Sequence, residues 1–115
     1  MTDPSLADTF HQSALMRDPN DPDTPKFLAG VGALFYTRYK ARRCAADLDI
    51  AISHFEASVR LTPDFDVDQA LRLEALGIAI RNRFDNTGDI SDREKARSCF
   101  ERSLLIRPAA DARCG

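Results

Sequence analysis

Apolar residues recur along this 115-residue chain at the three- and four-residue spacing of amphipathic helices. Leu28, Val31, Leu34/Phe35 and Tyr39 form one stripe, and Leu48, Ala51/Ile52, Phe55 and Val59 form the next. Leu73, Leu76, Ile80 and Phe84 repeat the first, and Ala96, Phe100 and Leu104 repeat the second. Strand-like alternation is absent. The pattern predicts an all-α chain with helices over about 4–17, 24–40, 47–61, 67–84 and 91–106.

Local punctuation agrees with those limits. Asp23-Thr24-Pro25 supplies a cap followed by proline at an early helical position, and Ser91-Asp92-Arg93-Glu94 fits a capping box. Asn86-Thr87-Gly88-Asp89 reads as a turn, because Gly and Asn tolerate positive φ. Pro63 and Pro108 follow apolar stretches that they cannot extend. Asp64, Asp66 and Asp68 read as caps at a helix start, since the full calcium-loop pattern is missing.

The stripes recur because the chain repeats itself. Residues 19–63 set against 64–108 give 12 identities at an offset of 45, where ordinary composition would give about three. The pairs are Asp21/Asp66, Asp23/Asp68, Leu28/Leu73, Gly32/Gly77, Arg38/Arg83, Asp47/Asp92, Ala51/Ala96, Ser53/Ser98, Phe55/Phe100, Glu56/Glu101, Ser58/Ser103 and Pro63/Pro108. The same offset puts Phe10 on Phe55 and Ser13 on Ser58, so residues 5–18 resemble the second half of an earlier unit. The expected domain is a single array over 1–115: a half repeat at 5–18, repeats at 19–63 and 64–108, and a tail at 109–115. A period of this size is the signature of a solenoid, in which each unit buries its apolar face against its neighbours.

Composition narrows the class. A 43% hydrophobic and 30% charged content is that of a globular protein, and a net charge of −2 gives no global attraction to a phosphate backbone. The longest uncharged run, Phe27 to Thr37, is far short of the ~20 apolar residues that span a bilayer. Met-Thr-Asp-Pro lacks the basic and apolar regions of a secretion signal. Cys44, Cys99 and Cys114 form no CxxC pair, and their odd number argues against a secreted disulfide framework. The expectation is a cytoplasmic protein with reduced thiols and no membrane association.

With helices and period in hand, the chain resembles the tetratricopeptide repeat (TPR) family. Leu28, Val31-Gly32 and Phe35 match that family's first helix, and Ala51, Phe55, Ser58 and Pro63 match its second; Leu73, Leu76-Gly77, Ile80, Ala96, Phe100, Ser103 and Pro108 do so in the next unit. The resemblance implies a right-handed stack of helical hairpins, five helices in two and a half repeats. Small residues would let paired helices approach to roughly 8–10 Å, and the Phe would fill the space between units. The departure is length, 45 residues against the usual 34. The extra residues are expected between the two helices, around 40–46 and 85–90. Longer arrays with an Arg-Phe…Thr-Gly-Asp insert, here Arg83-Phe84…Thr87-Gly88-Asp89, look like those common in fungal proteins, where they often lie beside a caspase-like CHAT protease domain or a nucleotide-binding switch domain.

Candidate chemistry is thin. His54 and Cys99 occupy equivalent positions on successive second helices, which the intervening first helix should separate, and two ligands fall short of the usual three or four for zinc. No nucleophile, base and orienting group come together, so the chain is expected to be non-catalytic and to carry no cofactor or metal. Cys44 beside Arg42-Arg43 reads as an ordinary surface thiol. Gly30 and Gly32 read as packing glycines. Arg38-Tyr39-Lys40-Ala41-Arg42-Arg43 is the one basic cluster, with an aromatic that could stack on a base; against that, Arg83-Phe84-Asp85-Asn86 carries little of the charge in the next unit, and the cluster reads better as cations complementing a helix C-terminus.

What the resemblance implies instead is a protein or peptide partner. In the family the first helices line a concave groove, which would here present Lys26, Ala29, Ala33, Tyr36 and Thr37, then Leu71, Glu74, Ile78, Arg81 and Asn82. Ala29 and Ala33 stand where the carboxylate clamp of chaperone-binding members needs Lys and Asn. The ends imply an alternative, a homo-oligomer assembled through uncapped repeats, with Leu104, Leu105 and Ile106 as the self-association surface, or a piece of a longer array.

Overall fold

The computed structural model describes the backbone of residues 4–114 and the side chains of 6–106. Five helices account for it: α1 Pro4–Leu15, α2 Thr24–Arg42, α3 Ala45–Leu61, α4 Asp68–Thr87 and α5 Ile90–Cys114. No strand occurs among the described residues. No helix there is long and apolar enough to cross a membrane. The chain divides into two compact units, residues 1–61 and 62–115.

In the first unit α2 and α3 form an antiparallel hairpin against which α1 packs. Leu28, Val31, Phe35 and Tyr39 face Leu48, Ala51, Ile52, Phe55 and Val59, all buried, and α1 adds Ala7 and Ala14. Fully burying an aliphatic or aromatic side chain of this size contributes about 1.5–3 kcal/mol, so this stripe decides the pairing. The second unit buries Ala70, Leu73, Leu76, Ala79 and Ile80 of α4 and Ala96 and Cys99 of α5. Its first residues are tied to α4: buried Gln69 donates from Nε2 to the Thr62 carbonyl at 3.3 Å, and Arg72 donates to the Thr62 hydroxyl at 2.7 Å.

Helix ends differ from the sequence reading in instructive ways. The residues that lengthen the period mostly continue the helices, so only 43–44 and 88–89 lie between paired helices. Each first helix closes alike. Arg43 adopts φ 56° and donates its amide to the Tyr39 carbonyl at 2.6 Å, and Gly88 adopts φ 73° and donates to Phe84 at 2.7 Å. At the start of α5, Asp89 rather than Ser91 is the cap, its Oδ1 accepting the Ser91 amide at 2.9 Å. Asp23 precedes α2 as expected, yet its side chain caps nothing. Asp21 and Asp66 instead accept the amides of Asp23 and Asp68, each at 2.9 Å. Beyond residue 106, α5 continues through Pro108, whose fixed φ suits a helix and which sacrifices one backbone hydrogen bond. Leu104, expected in the buried stripe, is 61% exposed.

Candidate interaction surfaces

The two hairpins are held by the same contacts, 45 residues apart. Arg38 donates from Nε and Nη2 to Asp47 Oδ1 at 3.1 and 2.8 Å, and Arg83 donates to both oxygens of Asp92 at 2.9 Å. Ser58 Oγ donates to the Pro25 carbonyl at 2.6 Å, and Ser103 Oγ to the Ala70 carbonyl at 2.9 Å. A Cβ on Gly32 would stand 2.8 Å from the Phe55 ring, and one on Gly77 3.0 Å from the Phe100 ring. These repeated identities are therefore repeated contacts, and they fix which face of each helix turns outward.

The outward face of α2 carries exposed Lys26, Ala33 and Thr37 and half-buried Ala29 and Tyr36. That of α4 carries exposed Leu71 and Arg81 and half-buried Glu74, Ile78 and Asn82. Asn82 donates to the Ile78 carbonyl at 2.9 Å, and the Lys40 ammonium lies 5.7 Å from the Tyr36 ring centroid. On α5, Leu104 and Leu105 are exposed and Ile106 is half-buried.

Between α1 and α2 lies an open groove of about 500 Å³, within the ~300–1,000 Å³ range of ligand clefts. Phe10, Phe27, Val31 and Leu34 give it an apolar floor, and Arg17, Lys26 and Asp23 stand around it. Arg17 lays its guanidinium over the Phe27 ring, 4.6 Å from the centroid. Gly30 also lines the groove, and a Cβ there would meet nothing within 4 Å. The reading of Gly30 as a packing glycine is thus corrected: Gly32 packs, and Gly30 leaves space. Of the residues marked in the sequence as a binding face, only Lys26 belongs to this groove.

A polar cluster in the first unit has no counterpart in the repeat pattern. His11 Nδ1 lies 2.7 Å from His54 Nε2, so one imidazole donates and the other accepts. Phe35 packs against both, with ring centroids 5.5 and 6.4 Å away. Successive second helices, α1 and α3, therefore meet at this point rather than being separated by α2. Burial, and then the neighbouring His11, hold the His54 pKa below the usual imidazole value. Alongside, Arg38 reaches Asp8 of α1 at 3.4 Å while bonded to Asp47 of α3, so one guanidinium on α2 joins three helices. That bonding to Asp47, outweighing its own desolvation, raises the Arg38 pKa further. Sequence reasoning passed over His11 because it lies 43 residues from His54, off the repeat register.

The remaining candidates resolve into ordinary surroundings. Tyr39 is 2% exposed, so the aromatic of the basic cluster has no face free for stacking, and Arg43 lies over its ring at 5.7 Å. Cys44 is exposed and Cys99 buried, while the Cys114 side chain lies outside the described residues. Among the described residues no three His, Cys, Asp or Glu side chains are grouped to hold a metal ion. Compared with family models, curated proteins and solved structures, the chain has no match in any of the three.

Proposed function

We propose that this chain is a TPR-like helical-repeat module, a right-handed stack of hairpins in the long-period form, that holds a peptide or helix of a protein partner against the outward faces of α2 and α4 and performs no chemistry itself. The observation that supports it is the recurrence of one set of ties, arginine to aspartate, serine to carbonyl and glycine to phenylalanine, in two hairpins 45 residues apart. Such redundancy builds a scaffold, and the outward residues it leaves over differ between repeats, as a binding face requires. Peptides selected from a displayed library on the wild-type chain should lose binding when Tyr36→Ala and Arg81→Ala are combined, with the helical circular dichroism unchanged. Peptides indifferent to both substitutions would sink this reading.

A second reading has its own observation. Leu104 and Leu105 are 61% and 79% exposed on α5, and such apolar edges suit contact between copies. Leu105→Arg should then lower the solution mass without unfolding the helices.

A further inference from the structure

We propose that copies of this chain associate head to tail, residues 64–71 of one copy seating in the groove between α1 and α2 of the next. The groove offers what such a segment needs. Its floor is apolar, Gly30 leaves room above α2, and two cations, Arg17 and Lys26, stand against one carboxylate, Asp23. The lining thus carries one more cation than carboxylate, on a chain whose net charge is −2, with Asp21 just outside it against Arg17. The floor is also unusually open for its place in the repeat: Leu34 is 36% exposed, whereas its equivalent, Ala79, is fully buried.

The occupant is on the same chain. Residues 64–71, Asp-Phe-Asp-Val-Asp-Gln-Ala-Leu, carry three carboxylates and no cation. Phe65, Val67 and Leu71 are 89%, 75% and 61% exposed, the largest concentration of bare apolar side chains in the second unit outside α5. Asp64 and Asp68 are held only lightly, by Arg102 at 3.4 Å and Arg72 at 3.9 Å, while Asp66 keeps one oxygen on the Asp68 amide at 2.9 Å; Arg17 reaches Asp21 only at 3.9 Å. Exposed pairs of this kind are worth about 0–1 kcal/mol and exchange readily for new ones. Phe65 supplies the apolar anchor, and Asp64, Asp66 and Asp68 meet Arg17 and Lys26. Because the donating and accepting surfaces differ, the contact is heterologous, and copies join in open chains or rings rather than as a closed two-fold dimer.

This contact can be separated by mutation from the peptide-binding face and from the α5 end. It shares Lys26 and Leu71 with the former but spares Tyr36, Arg81 and Leu105, so Tyr36→Ala, Arg81→Ala and Leu105→Arg leave it intact. The test is light scattering of the full chain over a concentration series at low and high salt. The wild type should grow in mass with concentration, less so in high salt. Leu34→Glu and Phe65→Asp should each stay at the monomer mass, and an equimolar mixture of the two should reach the mass of two chains and stop, since one sound segment and one sound groove remain. Gly30→Leu, whose Cβ would meet nothing within 4 Å and whose side chain would occupy the groove, favours the helix and should abolish assembly while raising the melting temperature. A monomeric wild type would overturn the proposal, leaving the groove to a foreign partner. So would single variants that assemble normally, or a mixture that stays monomeric.

Discussion

The first and second hairpins share their ties but differ in what surrounds them. Arg83 and Asp92 tie α4 to α5 by two hydrogen bonds, and the equivalent Arg38 and Asp47 are joined by Asp8 of α1 and lie beside two histidines and Phe35. Where the first hairpin has His54 and Arg43, the second has Cys99 and Gly88. The comparison separates two roles: positions that agree hold the hairpin, and positions that disagree record what α1 adds to one of them.

The largest expected effect breaks the shared tie. Asp92→Ala removes the buried carboxylate that Arg83 bonds through two nitrogens and should cost about 3 kcal/mol in chemical denaturation. Asp47→Ala should cost less, because Asp8 still stands 3.4 Å from Arg38. Equal losses would mean that Asp8 contributes nothing. Hydrogen bonding from Arg83 holds the Asp92 carboxyl below its ordinary pKa of 3.8. The stability it confers is therefore complete above that value and disappears as pH falls through the lower folded-state one, so Asp92→Ala should flatten the acid limb of a stability profile.

Next in size is the helix contact. Gly32→Ala forces a methyl group to 2.8 Å from Phe55 and should destabilise by about 1–2 kcal/mol even after the helix-propensity gain. Gly77→Ala, 3.0 Å from Phe100, should be milder, and a reversed order of melting temperatures would contradict the packing described. Smaller again is the effect of the imidazole pair. His54 is a base whose folded-state pKa lies below its ordinary 6.5, so the unfolded chain binds the proton more readily. Stability should be full above 6.5 and decline as pH falls from there toward the folded value; His54→Cys, the residue of the second hairpin, should reduce that slope. The smallest effect is at the connection. Arg43 holds a left-handed conformation that glycine holds in the other hairpin, so Arg43→Gly should stabilise by about 0.5–1 kcal/mol in a thermal melt.

Much of the helical architecture was legible in the sequence because several repeated identities make the contacts that close each hairpin. Gly32 and Gly77 are small for the sake of Phe55 and Phe100, and Ser58 and Ser103 each satisfy a carbonyl in a facing helix. The hairpin connections were less legible, since residues 40–42 and 85–87 contain no residue that forbids helix and so extend α2 and α4. The His11–His54 contact and the groove beside Gly30 were not legible at all. Both depend on where α1 lies against α2 and α3, which no local pattern encodes, and Gly30 and Gly32 differ only in what faces them. The outward residues on α2 and α4 came from the family resemblance rather than from the stripes.

The internal closure of each hairpin has a mechanical consequence. An antiparallel pair whose arginine–aspartate, serine–carbonyl and glycine–phenylalanine contacts join its own two helices loses all of these together once those helices part, so under a pulling force it should give way in one event. With about 45 residues released and at most ~3.3–3.6 Å gained per residue, a stretched chain should lengthen in steps of roughly 150 Å.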